Sequence, residues 1–148
     1  MTEPPHPHPP PLALRPTVWR LNHAIERASS RMESRLGVTA QQRFVLRCVG
    51  RFPGITAGQL ASLLEVDRGT VSAALNRMER KGLITRQADP RDRRRVALGL
   101  TPRGHALDRP QDGTVEDAAS RAIAALPEEV LRAAAQCLTT LAARVDEV

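Results

Sequence analysis

The sequence is poor in aromatic residues and in cysteine, and it has no long apolar segment. Aromatic residues make up 2% of the 148 residues and tyrosine is absent, so the core must be built from aliphatic side chains. Two cysteines are too few for a disulfide framework in a chain of this length. No run approaches the roughly 18 apolar residues of a membrane helix, and the N-terminus lacks the apolar stretch of a secretory signal. We therefore expect a cytoplasmic, reduced protein that is rich in helix.

Signatures of catalysis and of cofactor or metal binding are also missing. No glycine-rich phosphate loop occurs, and no nucleophile, base and acid stand out as a set. The four histidines are isolated, without the dense ligand cluster of a metal site. Cys48 and Cys137 lie on apolar helix stripes, where a thiol is typically inert. The sequence thus predicts a protein that is not an enzyme and that has no cofactor and no metal site, and it leaves open whether Cys48 or Cys137 senses oxidants.

Positive charge is concentrated in the middle of the chain. The net charge is +6, but residues 67–95 alone carry nine Arg or Lys against four acidic residues, a net charge of +5. Residues 96–148 carry five Arg against eight acidic residues, a net charge of −3. Such a basic cluster suits a polyanionic partner, nucleic acid first, while charge alone equally fits an ordinary solvated face.

The hydrophobic pattern divides the chain into four regions. Residues 1–11 contain six of the 12 prolines and predict a disordered tail. In residues 12–36 the apolar positions alternate at spacings of four and three, which predicts a helix that either packs on the domain or forms a dimer seam. Residues 37–101 predict a helical domain with a hairpin, and residues 102–148 predict helices with a break near 108–113.

Capping signals place the helices of the central domain. Thr39 with Gln42 and Thr56 with Gln59 each match a capping box, and Asp67 is a favoured N-cap residue. The first of these helices is expected to bury four side chains, Val45, Cys48, Val49 and Phe52. After Gly82 the apolar period changes to two, which predicts two strands joined by a charged turn.

A helix from Thr56, a short turn, a helix from Asp67 and a β-hairpin follow one another in the order of a winged helix-turn-helix. In the second helix, apolar residues at i, i+3, i+4 and i+7 face the core, and the opposite face is nearly free of acids. Arginine and asparagine pair with guanine and adenine in the major groove, and a hairpin arginine fits the minor groove. The candidate DNA-binding residues are Arg68, Thr70, Ser72, Ala73, Asn76, Arg77 and Arg80 on the helix and Arg91, Arg93, Arg94 and Arg95 on the wing.

Residues 36–107 resemble the MarR family of bacterial winged-helix regulators. The matching motifs, in order, are Leu36-Gly37-Val38-Thr39, Pro53-Gly54-Ile55-Thr56, Asp67-Arg68-Gly69-Thr70-Val71-Ser72, Lys81-Gly82-Leu83-Ile84, Asp89-Pro90-Arg91-Asp92-Arg93-Arg94 and Leu100-Thr101-Pro102-Arg103-Gly104. Two features depart from the family pattern. Ala73 stands where many members have a basic residue, and Pro110 and Gly113 interrupt what is usually one long helix.

The resemblance implies a mainly α fold with a small β-hairpin wing, and a homodimer built by N- and C-terminal dimerisation helices. The dimer interface residues expected on this basis are Leu14, Val18, Leu21, Ile25, Ile123, Leu126, Leu138, Leu141 and Val145. The implied function is repression of transcription from a pseudo-palindromic operator in double-stranded DNA.

The resemblance also implies release of DNA by a small phenolic or lipophilic effector. Its pocket is expected near Trp19, His23, Arg43, Leu46 and Arg47. Two other functions stay open at this point. One is an architectural protein that binds DNA without sequence preference, and the other is a winged-helix module that binds only proteins.

Overall fold

The computed structural model describes residues 10–92 and 94–147, with side chains from residue 14 onward. The first nine residues of the predicted tail and the candidate contact Arg93 lie outside the described residues. The described chain forms seven helices and one hairpin: α1 (Pro10–Leu36), α2 (Ala40–Arg51), α3 (Ala57–Leu64), α4 (Arg68–Arg80), β1 (Ile84–Ala88), β2 (Val96–Leu100), α5 (Pro102–Asp108), α6 (Val115–Ile123) and α7 (Glu128–Val145). Helix α1 therefore begins within the segment predicted as a disordered tail.

The predicted capping residues begin three of the central helices. The Thr39 hydroxyl accepts a hydrogen bond from the Gln42 amide at 3.1 Å, and the Gln42 side chain accepts one from the Thr39 amide at 3.3 Å. Thr56 and Gln59 form the same reciprocal pair at the start of α3. These bonds satisfy backbone amides that have no partner within the helix, so both predicted capping boxes are confirmed.

The helix-turn-helix and the wing are held together at the start of α3. Glu65 ends α3 in a left-handed conformation with φ of 53°, which turns the chain into α4. Strands β1 and β2 pair antiparallel, with Ile84 opposite Leu100. The Leu98 amide donates to the Ile55 carbonyl oxygen at 2.9 Å, so the segment before α3 pairs with β2 through a short antiparallel bridge. The wing is thereby oriented relative to the helix-turn-helix.

The core is aliphatic, as the lack of aromatic residues requires. Its fully buried side chains come from α2, α3, α4 and the start of the hairpin and include Leu46, Leu60, Leu75, Met78 and Leu83. The prediction that Phe52 is buried is wrong, because 47% of this residue is exposed. Phe52 is the C-cap of α2, where the backbone leaves helical geometry, and the side chain points away from the buried stripe.

The predicted break in the C-terminal region separates α5 from α6. Arg109 ends α5 in an extended conformation, Gly113 has a φ of +70°, and Thr114 caps α6. Helices α6 and α7 contain no buried residue, although α6 contacts α1. None of the helices in the described ranges is long and apolar enough to cross a membrane.

Candidate nucleic-acid interface

Helix α4 has one buried face and one open face. Val71, Ala74, Leu75 and Met78 are buried in the core, as their spacing predicts. At 100° per residue, the direction opposite to these four passes between Asn76 and Ala73. The whole set of candidate contact residues on α4 is exposed: Arg68, Thr70, Ser72, Ala73, Asn76, Arg77 and Arg80.

Thr70 differs from the other residues of this set because its hydroxyl already has a partner. Both the Thr70 backbone amide, at 2.8 Å, and the Thr70 hydroxyl donate to the Asp67 carboxylate, which caps α4. The hydroxyl bond, together with the amide bonds, lowers the pKa of the Asp67 carboxyl. The structure thus places Thr70 in the N-terminal cap of α4, where it stabilises the start of the helix.

The tip of the wing is a turn held by two carboxylates. Asp89 accepts a hydrogen bond from the Arg91 amide at 2.9 Å, and Asp92 accepts one from the Arg94 amide at 3.0 Å. Backbone bonds from Asp89 to Arg95 and from Arg95 to Asp92, at 2.8 and 2.9 Å, close the turn. Asp92 therefore orients the backbone of Arg94 rather than its guanidinium. These acids shape the tip, which explains their presence among so many arginines.

The guanidinium groups of this surface fall into two classes. Arg86 is bound to Glu79 at 3.0 Å, and Arg95 lies 4.0 Å from Asp89. Within the described residues, five others have no carboxylate within 4.0 Å: Arg68, Arg77, Arg80, Arg91 and Arg94. An exposed face that carries several uncompensated guanidinium groups attracts polyanions, since each group can neutralise a phosphate.

A cleft of about 560 Å³ joins the wing to the first helix of the helix-turn-helix. The first turn of α3 forms one wall, and Asp92, Arg94 and Arg95 of the wing form the other, so one carboxylate lies among the guanidinium groups. The Arg68 guanidinium lies beside Gly58 at the same place. Amides of a helix N-terminus and guanidinium groups both favour a phosphate. Sequence reasoning missed the contribution of α3, although the capping box at Thr56 marks this helix N-terminus.

A second exposed surface, apolar in character, runs along the terminal helices. Most of the predicted dimer residues are about half exposed in the single chain: Leu14, Leu21, Ile25, Ile123, Leu126, Leu138 and Val145. Val18 and Leu141 are partly buried. Apolar surface of this extent is unusual on a monomer and typical of an interface with another chain.

The five residues predicted to line an effector pocket do not share one site. Leu46 is fully buried in the core of the single chain and lines neither of the two clefts that the others line, so its place in a pocket stays a prediction. Trp19 and His23 line a cleft of about 460 Å³ along α1, with their rings edge to face at 4.2 Å. Arg43 and Arg47 line a different cleft of about 340 Å³ beside α6.

The two cysteines differ in their surroundings. Cys48 is buried in α2, and burial raises the pKa of its thiol. Cys137 is exposed on α7 in the single chain, although its sequence neighbours are apolar. Among the residues that the structure describes, no three His, Cys, Asp or Glu side chains converge as a metal site would require.

Comparisons with known proteins agree with this geometry. The MarR family matches residues 36–95, which span the helix-turn-helix and most of the wing. The multiple antibiotic resistance protein MarR of Salmonella typhimurium is 37% identical over 93 residues, which cover 61% of this chain and 62% of that protein. The transcriptional repressor Rv2887 of Mycobacterium tuberculosis is 28% identical over 109 residues, covering 74% of this chain and 78% of that repressor.

Solved structures extend the likeness to the terminal helices. The S. aureus MepR–DNA complex has a TM-score of 0.71 and 25% sequence identity, with 89% of this chain and 96% of that chain covered. By sequence, the chain spans between 41% and 62% of the length of the first curated relatives that it matches.

Proposed function

Because this chain belongs to the MarR family of winged helix-turn-helix transcription regulators, we propose that it binds double-stranded DNA and represses transcription. Members of this family are not enzymes. The observation that carries the proposal is the exposed basic face of α4 and the wing, with five guanidinium groups that lack a carboxylate partner within the described chain. The proposal places the protein in the cytoplasm, where bacterial DNA lies.

The proposed complex uses three parts of this face. Helix α4 enters the major groove, where Asn76, Arg77 and Arg80 have the donors that read adenine and guanine. The wing tip at Arg94 reaches the neighbouring minor groove. The first turn of α3, with Arg68 beside it, holds a phosphate between the two. Ala73 is uncharged, so recognition of the bases depends more on Asn76 and Arg77 than it does in relatives with a basic residue at this position.

We also propose that the functional unit is a homodimer whose seam is the apolar surface of α1, α6 and α7. The support is that α6 and α7 bury no residue in the single chain while their apolar stripes lie open. A twofold axis through this seam would present two copies of α4 to half-sites about one helical turn apart, which is why the operator is expected to be pseudo-palindromic.

Fluorescence anisotropy tests the proposal with two duplexes of equal length across a salt series. One duplex comes from the region upstream of the gene, and the other is unrelated in sequence. Binding that is tighter to the first duplex by roughly 1000-fold supports a specific repressor. Equal binding to both with a steep salt slope contradicts it and favours an architectural protein. Absence of binding to either duplex would contradict both DNA-binding functions and favour a winged-helix module that binds only proteins.

The family resemblance extends the proposal to a small phenolic or lipophilic effector. The cleft beside Trp19 and His23 supports it, because its volume and its aromatic wall suit a small aromatic molecule. Trp19 is the only tryptophan in the chain, so the tryptophan fluorescence reports on this part of α1. Saturable quenching by salicylate, with a parallel loss of DNA binding, is the expected result. Quenching that does not saturate would remove this cleft from consideration.

A further inference from the structure

The break between α5 and α6 joins the helix-turn-helix and wing to the terminal helices α6 and α7. Its local hydrogen bonds lie on the α6 side, where the Thr114 hydroxyl donates to the Gln111 carbonyl oxygen and the Gly113 amide to the Asp117 carboxylate, both at 3.0 Å. The last carbonyl groups of a helix have no partner within it, and Pro110 has no amide with which to continue the chain of bonds. Gly113 takes a left-handed conformation, so the segment reverses direction before α6 begins. The two local bonds fix the start of α6, whereas the carbonyl groups at the end of α5 depend on donors from other elements. Whatever holds the break determines how the two parts of the molecule are oriented.

Three arginines supply the missing donors. Arg43 donates to the carbonyl oxygens of Leu107 and Arg109, the second at 2.7 Å, and Arg47 donates to that of Asp108. Arg35 of α1 donates to the carbonyl oxygens of Asp112 and Gly113 at 2.8 and 3.2 Å. Five carbonyl groups of the seven-residue segment 107–113 are thus bound by side chains from α1 and α2. We call these three residues the arginine clamp.

Arg43 is the central member of the arginine clamp because it also bridges the break. Only 1% of Arg43 is exposed, so its charge needs a partner in the protein. That partner is Glu116 in the first turn of α6, with 3.4 Å between the Arg43 Nε and the Glu116 carboxylate. Both carboxylate oxygens are buried and have no hydrogen-bond donor among the described residues. Arg43 therefore ties α2, the end of α5 and the start of α6 together.

We propose that the arginine clamp and Glu116 set the angle between the helix-turn-helix with its wing and the terminal helices. In the dimer of the proposed function, on which this inference rests, that angle determines the spacing of the two recognition helices. One base pair moves a half-site by about 3.4 Å along the duplex and rotates it by roughly 35°. A change of this angle shifts and rotates the two recognition helices relative to each other, so it is expected to alter which operator spacing is preferred. The clamp residues are positioning residues and do not touch DNA.

Distance measurements between spin labels test the angle without DNA. Labels are attached at Gln87→Cys in β1 and Gln136→Cys in α7, both exposed, in a Cys137→Ser background. Labelled chains are diluted with unlabelled ones, so that each dimer contributes one distance within a chain. The wild-type background is expected to give one narrow distance distribution. Glu116→Gln, which keeps the shape and removes the charge, is expected to broaden or shift it.

A second variant keeps the test valid if Glu116→Gln does not fold. Arg35→Gln removes an exposed member of the arginine clamp and leaves no buried charge without a partner, so this variant is expected to fold. The matched control is Glu128→Gln, which makes the same substitution in a solvent-exposed ion pair with Arg132. The control is expected to reproduce the wild-type distribution.

Operators with one base pair added or removed between the half-sites supply the functional readout. The wild type is expected to prefer one spacing by roughly tenfold or more, and both clamp variants are expected to lose most of that preference. The proposal would be overturned if the clamp variants kept the wild-type distance distribution. It would also be overturned if their distances broadened but they kept the wild-type preference for operator spacing, whatever their free energy of unfolding. If the wild type binds no duplex, the proposed repressor function is contradicted. The spin-label distances then test by themselves whether the arginine clamp sets the angle.

Discussion

Replacement of Arg94 by alanine removes a guanidinium from the tip of the wing. The side chain is exposed and has no carboxylate within 4.0 Å among the described residues, so it is free to bind DNA. Its backbone is held by the Asp92 carboxylate at 3.0 Å, and this bond does not depend on the side chain. The substitution therefore leaves the turn intact and should not change the free energy of unfolding.

The expected loss of affinity follows from the number of contacts in the dimer. A good contact of arginine with a base edge is worth about 1–3 kcal/mol, which is roughly a 5-fold to 150-fold loss of affinity for each half-site. If the contact is to phosphate instead, two sites are lost per dimer, and the slope of log K against log salt becomes shallower by about 1.8. The size of the slope change thus separates base contact from phosphate contact.

The assay is fluorescence anisotropy with the operator duplex over a salt series, alongside urea denaturation of each variant. Arg132→Ala is the matched control, because it removes the same charge from α7, where Arg132 is paired with Glu128. This control should keep both the affinity and the slope of the wild type. An Arg94→Ala protein with the wild-type affinity and slope would refute the assignment of the wing to DNA contact.

Three further predictions concern the dimer, the fold and the recognition-helix cap. Leu21→Asp, which puts a charge into the apolar seam, should yield monomers in analytical ultracentrifugation and abolish operator binding; a fully active dimer would contradict the proposed seam. Gly104→Ala would force a β-carbon onto the Leu83 carbonyl oxygen, so urea denaturation should show a loss of about 1–3 kcal/mol, and an unchanged midpoint would speak against this contact. The Asp67 carboxyl has a lowered pKa in the folded state, so its contribution is present above the unfolded value of about 3.9 and disappears as the pH falls through the lower folded value. Thermal unfolding should therefore show the advantage of the wild type over Asp67→Asn shrinking below about pH 4, and a constant difference would argue against the cap.

Local chemistry in the sequence was sufficient to predict most of the elements. The capping boxes at Thr39 and Thr56 form as predicted, because a hydroxyl and an amide three residues apart satisfy the helix amides within a single turn. The core face of α4 follows from a 3.6-residue period over one short helix. The hairpin follows from the change to a period of two. In each case the interacting groups are close in sequence, so no knowledge of the rest of the fold is needed.

Predictions that depended on distant parts of the chain were less accurate. Phe52 continues the apolar stripe of α2 in sequence, but the helix ends one residue earlier and leaves the ring exposed. The five residues predicted to line one pocket are divided between the core and two separate clefts, because the packing of α1, α2 and α6 decides which side chains meet. Thr70 belongs to the exposed face as predicted, yet its hydroxyl is used by the cap of its own helix.

Sequence alone was enough to predict an aliphatic core, three capped helix starts at Thr39, Thr56 and Asp67, a charged hairpin and a basic recognition helix. All of these are consequences of composition or of spacing within a few residues. The tertiary fold was needed to show that Arg35, Arg43 and Arg47 bind five of the carbonyl groups in residues 107–113, some 60 to 80 residues away. An arginine on a helix looks the same in sequence whether it faces solvent, DNA or a carbonyl group. Its role is determined by the groups that the fold brings within 3 Å of its guanidinium.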